Sequence, residues 1–374
     1  MDFNLTEKEK MMKTMARDFA DRSVRPLARE IDRSGDFPRE LASQMGSLGF
    51  YGLPYPQECG GSGSGYVGYV LAIEELCRAS MAVGAIVAVD SLAEESIYRF
   101  GNEEQKRDFL LPLASGKYLA CYAFTEAATG SDPRAIVTRA RPVAGGYVIE
   151  GEKIFSALSP AAAIALVFAK DETERVSAFI VDTLSPGFEV RHPWDMMGAR
   201  GLGTSAIYLD GVRIPESNLL GEKGQGYEIL LEALSVGKLG VSAEGVGVGQ
   251  EALDLSIAYA KERTAYGRPI SNLPTIQWLL AEMVSRIEAA RWLTYRTAFL
   301  RDQGESIRYH SAIAKLFSSQ MVVEVTRMAM QVHGSYGTMK TLPIERLYRD
   351  AKITEIYVGV SELQRALIAD YLLG

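Results

Sequence analysis

Acid–base chemistry in this chain would rest on a few carboxylates set among apolar residues. Asp90 interrupts the apolar run from Met81 to Val89. If that stretch is one helix, Val83, Val87 and Asp90 share a face at i, i+4 and i+7. A carboxylate on such a face is costly unless it is capped, paired or used. The alternative is that Asp90 caps a helix beginning at Ser91, a role that Asp favours. Glu244 follows Gly237 by two helical turns, so it shares that glycine's face and either reaches a pocket or sits paired or solvated on a helix surface. The three histidines, His192, His310 and His333, have no metal-pair spacing and read as surface or packing residues. Cys59, Cys77 and Cys121 form no C-x-x-C pair and are odd in number, which argues against a disulfide framework.

The elements that must position these groups follow from the pattern of the chain. At 374 residues it is long enough for two or three domains, and 47% hydrophobic with 23% charged residues is ordinary for a soluble globular protein. A net charge of -7 argues against nucleic acid or an anionic membrane as partner. No basic leader with an apolar core opens the chain, and no apolar run approaches the ~20 residues of a membrane span, so a cytoplasmic location is expected. Residues 1–118 read as helical, with Leu5, Met11, Met12, Met15 and Phe19 at helical spacing. The GGSGSG loop lacks a preceding strand and a following Gly-Lys-Ser/Thr, so a phosphate loop is disfavoured. Residues 119–226 change to short β-rich runs separated by GG, DG and Pro-Gly turn signals, as in a β-barrel or sandwich. Residues 227–374 return to long helical periods, enough for a four-helix bundle. The many glycines of GVSAEGVGVGQEALDL predict close approach of a backbone or ligand, or small-residue helix packing. The order helical, β, helical is an α+β chain without the βαβ repeat of a nicotinamide-binding fold.

Four motifs resemble those of flavin-dependent acyl-CoA dehydrogenases. CYAFTEAATGSD is similar to that family's flavin and substrate loop, ERTAYGRPI to its R-x-x-F-G-x-x-I, and QVHGSYG to its Q-x-x-G-G-x-G. The run from Pro343 to Arg365 is similar to P-x-E-R-x-Y-R-D followed by I-Y-E-G-T-x-x-x-Q-R. The resemblance covers essentially the whole chain and implies an acyl-CoA dehydrogenase-like fold: an N-terminal α-helical domain, a middle β-barrel domain and a C-terminal four-helix bundle. It also implies an FAD cofactor, an acyl-CoA substrate, an electron-transfer flavoprotein or similar acceptor, and a homotetramer in which a neighbouring subunit completes each FAD site. By matching position, Tyr122, Phe124, Thr125 and Phe155 would lie at the flavin ring, and Ser131 near the FAD phosphates or the thioester. Arg263, Tyr266, Gln331 and Gly334 would hold the diphosphate and adenosine of a neighbour's FAD, with Gly359 also at the cofactor. Val87, Lys238, Val241, Tyr357 and Arg365 would contact substrate.

The resemblance breaks where the family keeps its base. Val358 stands at the usual catalytic glutamate, and the second family position for that base aligns with Gly237. Ala157 and Val360 replace two further family threonines. A valine cannot accept a proton, yet its backbone N–H can still stabilise an enolate oxygen. The combination suits proton removal elsewhere in a conjugated acyl group, and it resembles cyclohex-1-ene-1-carboxyl-CoA dehydrogenases, which carry out a 1,4-elimination. Asp90 is the expected base, because an apolar pocket should raise its pKa. Glu244 is the alternative, and Glu362 falls where the family has a polar residue outside the chemistry. Rival functions are a 1,2-dehydrogenase of alicyclic or short-chain thioesters, an enoyl-CoA reductase, a flavin monooxygenase on the same fold, and a non-catalytic acyl-CoA-binding protein.

Overall fold

Thr6 and Glu9 open the first helix with a reciprocal cap, the Glu9 N–H donating to the Thr6 hydroxyl and the Thr6 N–H to the Glu9 carboxylate. The computed structural model describes residues 4–191 and 193–374; His192 lies outside them. The first part of the chain is helical: α1 (Glu7–Phe19), α2 (Ala28–Ser34), α3 (Arg39–Ser47), α4 (Gly65–Ala79), α5 (Met81–Phe100) and the short α6 (Glu103–Gln105) and α7 (Leu111–Ala114). Met12, Ala16 and Phe19 of α1 turn inward as their spacing predicts, whereas Met11 faces solvent. Helix α5 is buried on every side from Met81 to Ile97. A helix enclosed all round needs no polar face, yet this one carries Asp90, Glu94 and Glu95 within the buried stretch. It runs unbroken through Ser91, so Asp90 is not an N-cap.

Among the described residues eight strands follow: β1 (Ala120–Ala123), β2 (Arg139–Val143), β3 (Gly146–Ser156), β4 (Ile164–Lys170), β5 (Val176–Asp182), β6 (Phe188–Arg191), β7 (Ser205–Pro215) and β8 (Leu219–Leu220). They form one sheet in the order β6-β7-β3-β2-β4-β5-β8, with β1 pairing in parallel along β4. Strand β4 is buried on both faces, which explains its unbroken apolar sequence. Leu166 and Phe168 face α5 and the start of the next long helix, while Ala165, Val167 and Ala169 face an interior core shared with Ile149, Phe188, Ile207 and Leu209. The sheet therefore folds round its own interior. Register shifts between Ile149 and Gly151 and between Lys153 and Ser156 bulge β3 where it approaches the site.

The chain then returns to helices: α8 (Gly226–Glu262), α9 (Pro274–Asp302), α10 (Arg308–His333), α11 (Ile344–Ile353) and α12 (Ser361–Leu373), with a small hairpin of β9 (Thr264–Ala265) and β10 (Arg268–Pro269) after α8. At 37 residues α8 is ~55 Å long. Its glycines are packing devices: a Cβ on Gly247 would lie 2.2 Å from the Glu74 carbonyl oxygen of α4, and one on Gly240 would lie 2.6 Å from the Tyr69 hydroxyl and 2.9 Å from Ala88. No helix among the described residues is long and apolar enough to cross a membrane, and they hold no metal-competent His/Cys/Asp/Glu cluster. His333 stacks on Tyr259 with ring centroids 4.4 Å apart.

Candidate active site around the Val358 turn

Between α11 and α12 the backbone makes a left-handed turn at Val358 (φ +54°) and Gly359 (φ +92°). This region is disfavoured for a β-branched residue and persists only where the surroundings impose it. Six described non-glycine residues have positive φ, and three of them, Phe155, Tyr266 and Val358, are predicted site positions. The Tyr357 N–H donates to the Ile353 carbonyl at 3.2 Å on one side of the turn. On the other, the Gly359 carbonyl accepts from Lys315 Nζ at 2.6 Å and Gln364 Nε2 at 3.0 Å.

Gly237 of α8 faces this turn. A Cβ placed there would lie 3.0 Å from Val358 Cγ1 and 2.7 Å from Leu92 Cδ2. The two positions that align with the family's base thus meet in space, and neither carries an acid. Lys238, next to Gly237, is buried, and burial together with nearby Arg308 pushes its ammonium down to about 8. Val87 and Val241 are buried apolar residues on α5 and α8. Arg365 lies outside this core, with its guanidinium 3.7 Å from Glu362.

Side-chain direction distinguishes the two candidate acids. Glu244 is fully buried and accepts a hydrogen bond from the Tyr357 hydroxyl, one residue from Val358. Its other oxygen, Oε1, has no partner among the described residues, and burial pushes the carboxyl up to about 8, opposed by Lys315. Asp90, the expected base, points elsewhere. Leu92, the α5 residue touching Gly237, is two positions on and therefore ~200° round the helix. Asp90 Oδ1 instead accepts the Ala120 N–H at 2.7 Å, at the start of β1. Burial pushes Asp90 up to about 8 as well, and Oδ2 has no partner among the described residues. One turn along, Glu94 is held well above the usual carboxylate range by burial and by Asp90, against a hydrogen bond from the Gly52 backbone. Sequence reasoning did not single out Glu94; its only signal was the i, i+4 spacing from Asp90.

The loop after β1 is fixed by a buried hub that the motif comparison passed over. Glu126 accepts the N–H groups of Val137 (2.5 Å) and Thr138 (3.0 Å), the Thr138 hydroxyl (2.5 Å) and the Lys153 ammonium (2.7 Å). Lys153 also reaches the Phe124 carbonyl at 3.3 Å, and the Thr125 carbonyl accepts the Ile154 N–H at 2.9 Å. The hub thereby ties Phe124 and Thr125 to the bulged end of β3, where Phe155 turns outward at φ +53°. Phe155 is half exposed and stacks on Trp194, centroids 5.1 Å apart and planes 31° apart, so the aromatic surface expected at the flavin ring has a second member. Ser131 is exposed. The Tyr122 ring is buried between Phe124 and Phe168, facing the core rather than the loop's open side.

Arg263, Tyr266, Gln331 and Gly334 gather at the other end of α8. Arg263 is exposed, lies over the Tyr336 ring at 5.7 Å and makes no ion pair with a described residue. Gly334, at φ +57°, has open space where a Cβ would point. An unpaired guanidinium beside an open glycine turn fits a phosphate diester. Helix α8 starts against β5, where a Cβ on Gly226 would meet the Val176 carbonyl oxygen at 2.8 Å. Gly237 and Arg263 are 26 residues apart on that helix and its C-cap, ~39 Å.

Known proteins resemble this chain along its whole length. Family descriptions for the acyl-CoA dehydrogenase N-terminal, middle and C-terminal domains match residues 6–117, 121–212 and 224–373. An acyl-CoA dehydrogenase of Bacillus subtilis (strain 168) is 40% identical over 99% of this chain and 99% of its own. Acryloyl-CoA reductase (NADH) of Anaerotignum propionicum is 40% identical over 99% of this chain and 95% of its own. The structure of butyryl-CoA dehydrogenase from Megasphaera elsdenii superposes with a TM-score of 0.98 at 35% identity, covering 100% of both chains.

Proposed function

Because the chain belongs to the acyl-CoA dehydrogenase family, we propose that it is an FAD-dependent oxidoreductase of conjugated cyclic acyl-CoA thioesters, of the cyclohex-1-ene-1-carboxyl-CoA type. The observation that carries this reading is the facing pair Val358 and Gly237, which leaves the α-carbon's proton without an acceptor at either family position. A conjugated enoyl thioester does not need one. Its γ-proton is acidified by the same carbonyl through the double bond, and the Val358 N–H is the donor that would hold the developing enolate oxygen. Loss of the γ-proton to a carboxylate and of a hydride from the other allylic carbon gives the conjugated dienoyl thioester, a 1,4-elimination. FAD, when bound, supplies the two-electron acceptor for that hydride. Phe124, Thr125, Phe155 and Trp194 would border its ring.

We place the proton acceptor at Glu244. It is buried, hydrogen-bonded to Tyr357 of the turn and left with one unpartnered oxygen. A carboxyl whose pKa lies near 8 is matched to taking a proton at neutral pH. Asp90 is the second reading, favoured by its own unpartnered Oδ2. The distance along α8 supports a homo-oligomer in which Arg263, Gln331 and Gly334 of one copy hold the FAD phosphates of another. An electron-transfer flavoprotein is the acceptor proposed for the reduced cofactor.

Anaerobic bleaching of the flavin's visible absorbance tests the substrate class. Cyclohex-1-ene-1-carboxyl-CoA should bleach the holoenzyme, and cyclohexane-1-carboxyl-CoA and butyryl-CoA should not. Bleaching by a saturated thioester at a comparable rate sinks the 1,4 reading. Turnover that runs only from reduced carrier to enoyl thioester makes the enzyme a reductase.

A further inference from the structure

Lys315 occupies the middle of α10 and is fully buried. Its ammonium donates to the Gly359 carbonyl at 2.6 Å and makes no ion pair with any described residue. Glu355, Glu362, Glu244 and Lys238 are the charged groups that act on it from the neighbouring elements. Burying a cation is costly unless it is paired or used, and here the cation is directed at one backbone oxygen. That oxygen ends the left-handed pair Val358–Gly359 and also accepts from Gln364 Nε2 at 3.0 Å. At the other end of the turn the Tyr357 N–H is bound to the Ile353 carbonyl, and the Tyr357 side chain to Glu244. With both ends held, the orientation of the Val358 N–H between them is fixed.

We infer that Lys315, assisted by Gln364, is a positioning residue for the oxyanion donor. Its bond to the Gly359 carbonyl maintains the unfavourable left-handed conformation at Val358 and so aims the Val358 N–H at the thioester oxygen. The inference rests on the reading above that this N–H receives that oxygen. It accounts for two features together: a valine kept in a backbone region it disfavours, and an ammonium kept in the core without a carboxylate.

An arylacryloyl-CoA with an electron-donating ring substituent reports on this contact, because its absorbance moves to longer wavelength when its carbonyl oxygen is polarised by a hydrogen bond. The oxidised holoenzyme is titrated with this thioester as wild type, Lys315→Met, Lys315→Arg and Gln364→Leu, with flavin content checked in each. The wild type should red-shift the bound thioester. Lys315→Met should lose at least half of that shift while still binding it, and its turnover should fall by up to ~10²-fold, the scale of losing one oxyanion donor. Lys315→Arg should restore part of both. A full shift in Lys315→Met overturns the role of Lys315 alone. No shift in the wild type overturns the role of the Val358 N–H itself, and that of Lys315 with it. If Lys315→Met loses its flavin, Gln364→Leu decides: a reduced shift supports the inference and an unchanged one overturns it.

Discussion

Replacing Glu244 by glutamine removes the ionisable oxygen and keeps the side chain's volume and its acceptor for the Tyr357 hydroxyl. In the wild type the carboxyl is pushed from 4.5 up to about 8 by burial, so about one molecule in ten is ionised at pH 7. As a general base it should give a bleaching rate that climbs about tenfold per pH unit and levels above pH 8, and its loss should cost ~10²–10⁴ in rate. Stopped-flow bleaching by cyclohex-1-ene-1-carboxyl-CoA between pH 6 and 9 measures both. Stability changes in a direction that keeps a folding defect from being mistaken for a catalytic one. The folded chain holds a proton at Glu244 that the unfolded chain has released between 4.5 and about 8, so this residue's contribution to stability falls as pH rises through that window. The decline amounts to about 5 kcal/mol, and Glu244→Gln should be spared it. A variant that keeps its rate within about threefold, well under the effect of a general base, refutes the assignment. Asp90 is also pushed up to about 8, so the pH profile cannot separate the two acids. The substitution can, and Asp90→Asn is its partner experiment.

Three other outcomes follow from the same geometry. Val358→Glu returns a carboxylate to the turn opposite Gly237 and should let butyryl-CoA bleach the flavin ~10²–10⁴ times faster than in wild type; no gain would mean that more than the acid has been lost. Lys153→Met leaves Glu126 buried without its cation and should lower stability in denaturant unfolding by ~3–5 kcal/mol, whereas a loss under ~1 kcal/mol would make the pair dispensable. Arg263→Ala should weaken FAD retention on dilution by about tenfold or more, as expected from one lost charged contact of ~1.5–3 kcal/mol; unchanged flavin content would remove Arg263 from the phosphate site.

The three-part fold was legible because its periods are long and its turns well marked. The helical repeats, the β-rich middle and the glycine-lined α8 all reappear in the structure. The site was legible only as motifs. The resemblance found Val358 and Phe155, which sit in left-handed backbone, and Gly237, whose close packing against Leu92 and Val358 explains its lack of a side chain. What sequence could not show was direction. Asp90 reads as an acid on a face shared with Val87, but α5 has no solvent side, and its carboxylates are partnered by distant elements: Asp90 by Ala120, Glu94 by Gly52, Glu95 by Tyr55, Tyr66 and Arg301. Glu244 resembles an exposed helix acid for the same reason, since α8 is enclosed along most of its length. Lys153 and Lys315 look like the cations of amphipathic elements, and their burial depends on receiving oxygens from loops remote in sequence, Glu126 for Lys153 and Gly359 for Lys315. Trp194 follows a proline in an irregular stretch and meets Phe155 only through the folding of the sheet.

The length of α8 has a genetic consequence. If the acid–base end and the phosphate-holding end of one chain serve different cofactors, defects at the two ends can rescue each other. A chain carrying Arg263→Ala, poor in flavin, and a chain carrying Glu244→Gln, slow in proton removal, would each be impaired as pure assemblies. Co-assembled, they form one class of site with Glu244 from the first chain and Arg263 from the second, which is intact, and another class that carries both lesions. Activity would then rise on mixing two impaired proteins, and two alleles that are each deficient alone would complement in one cell.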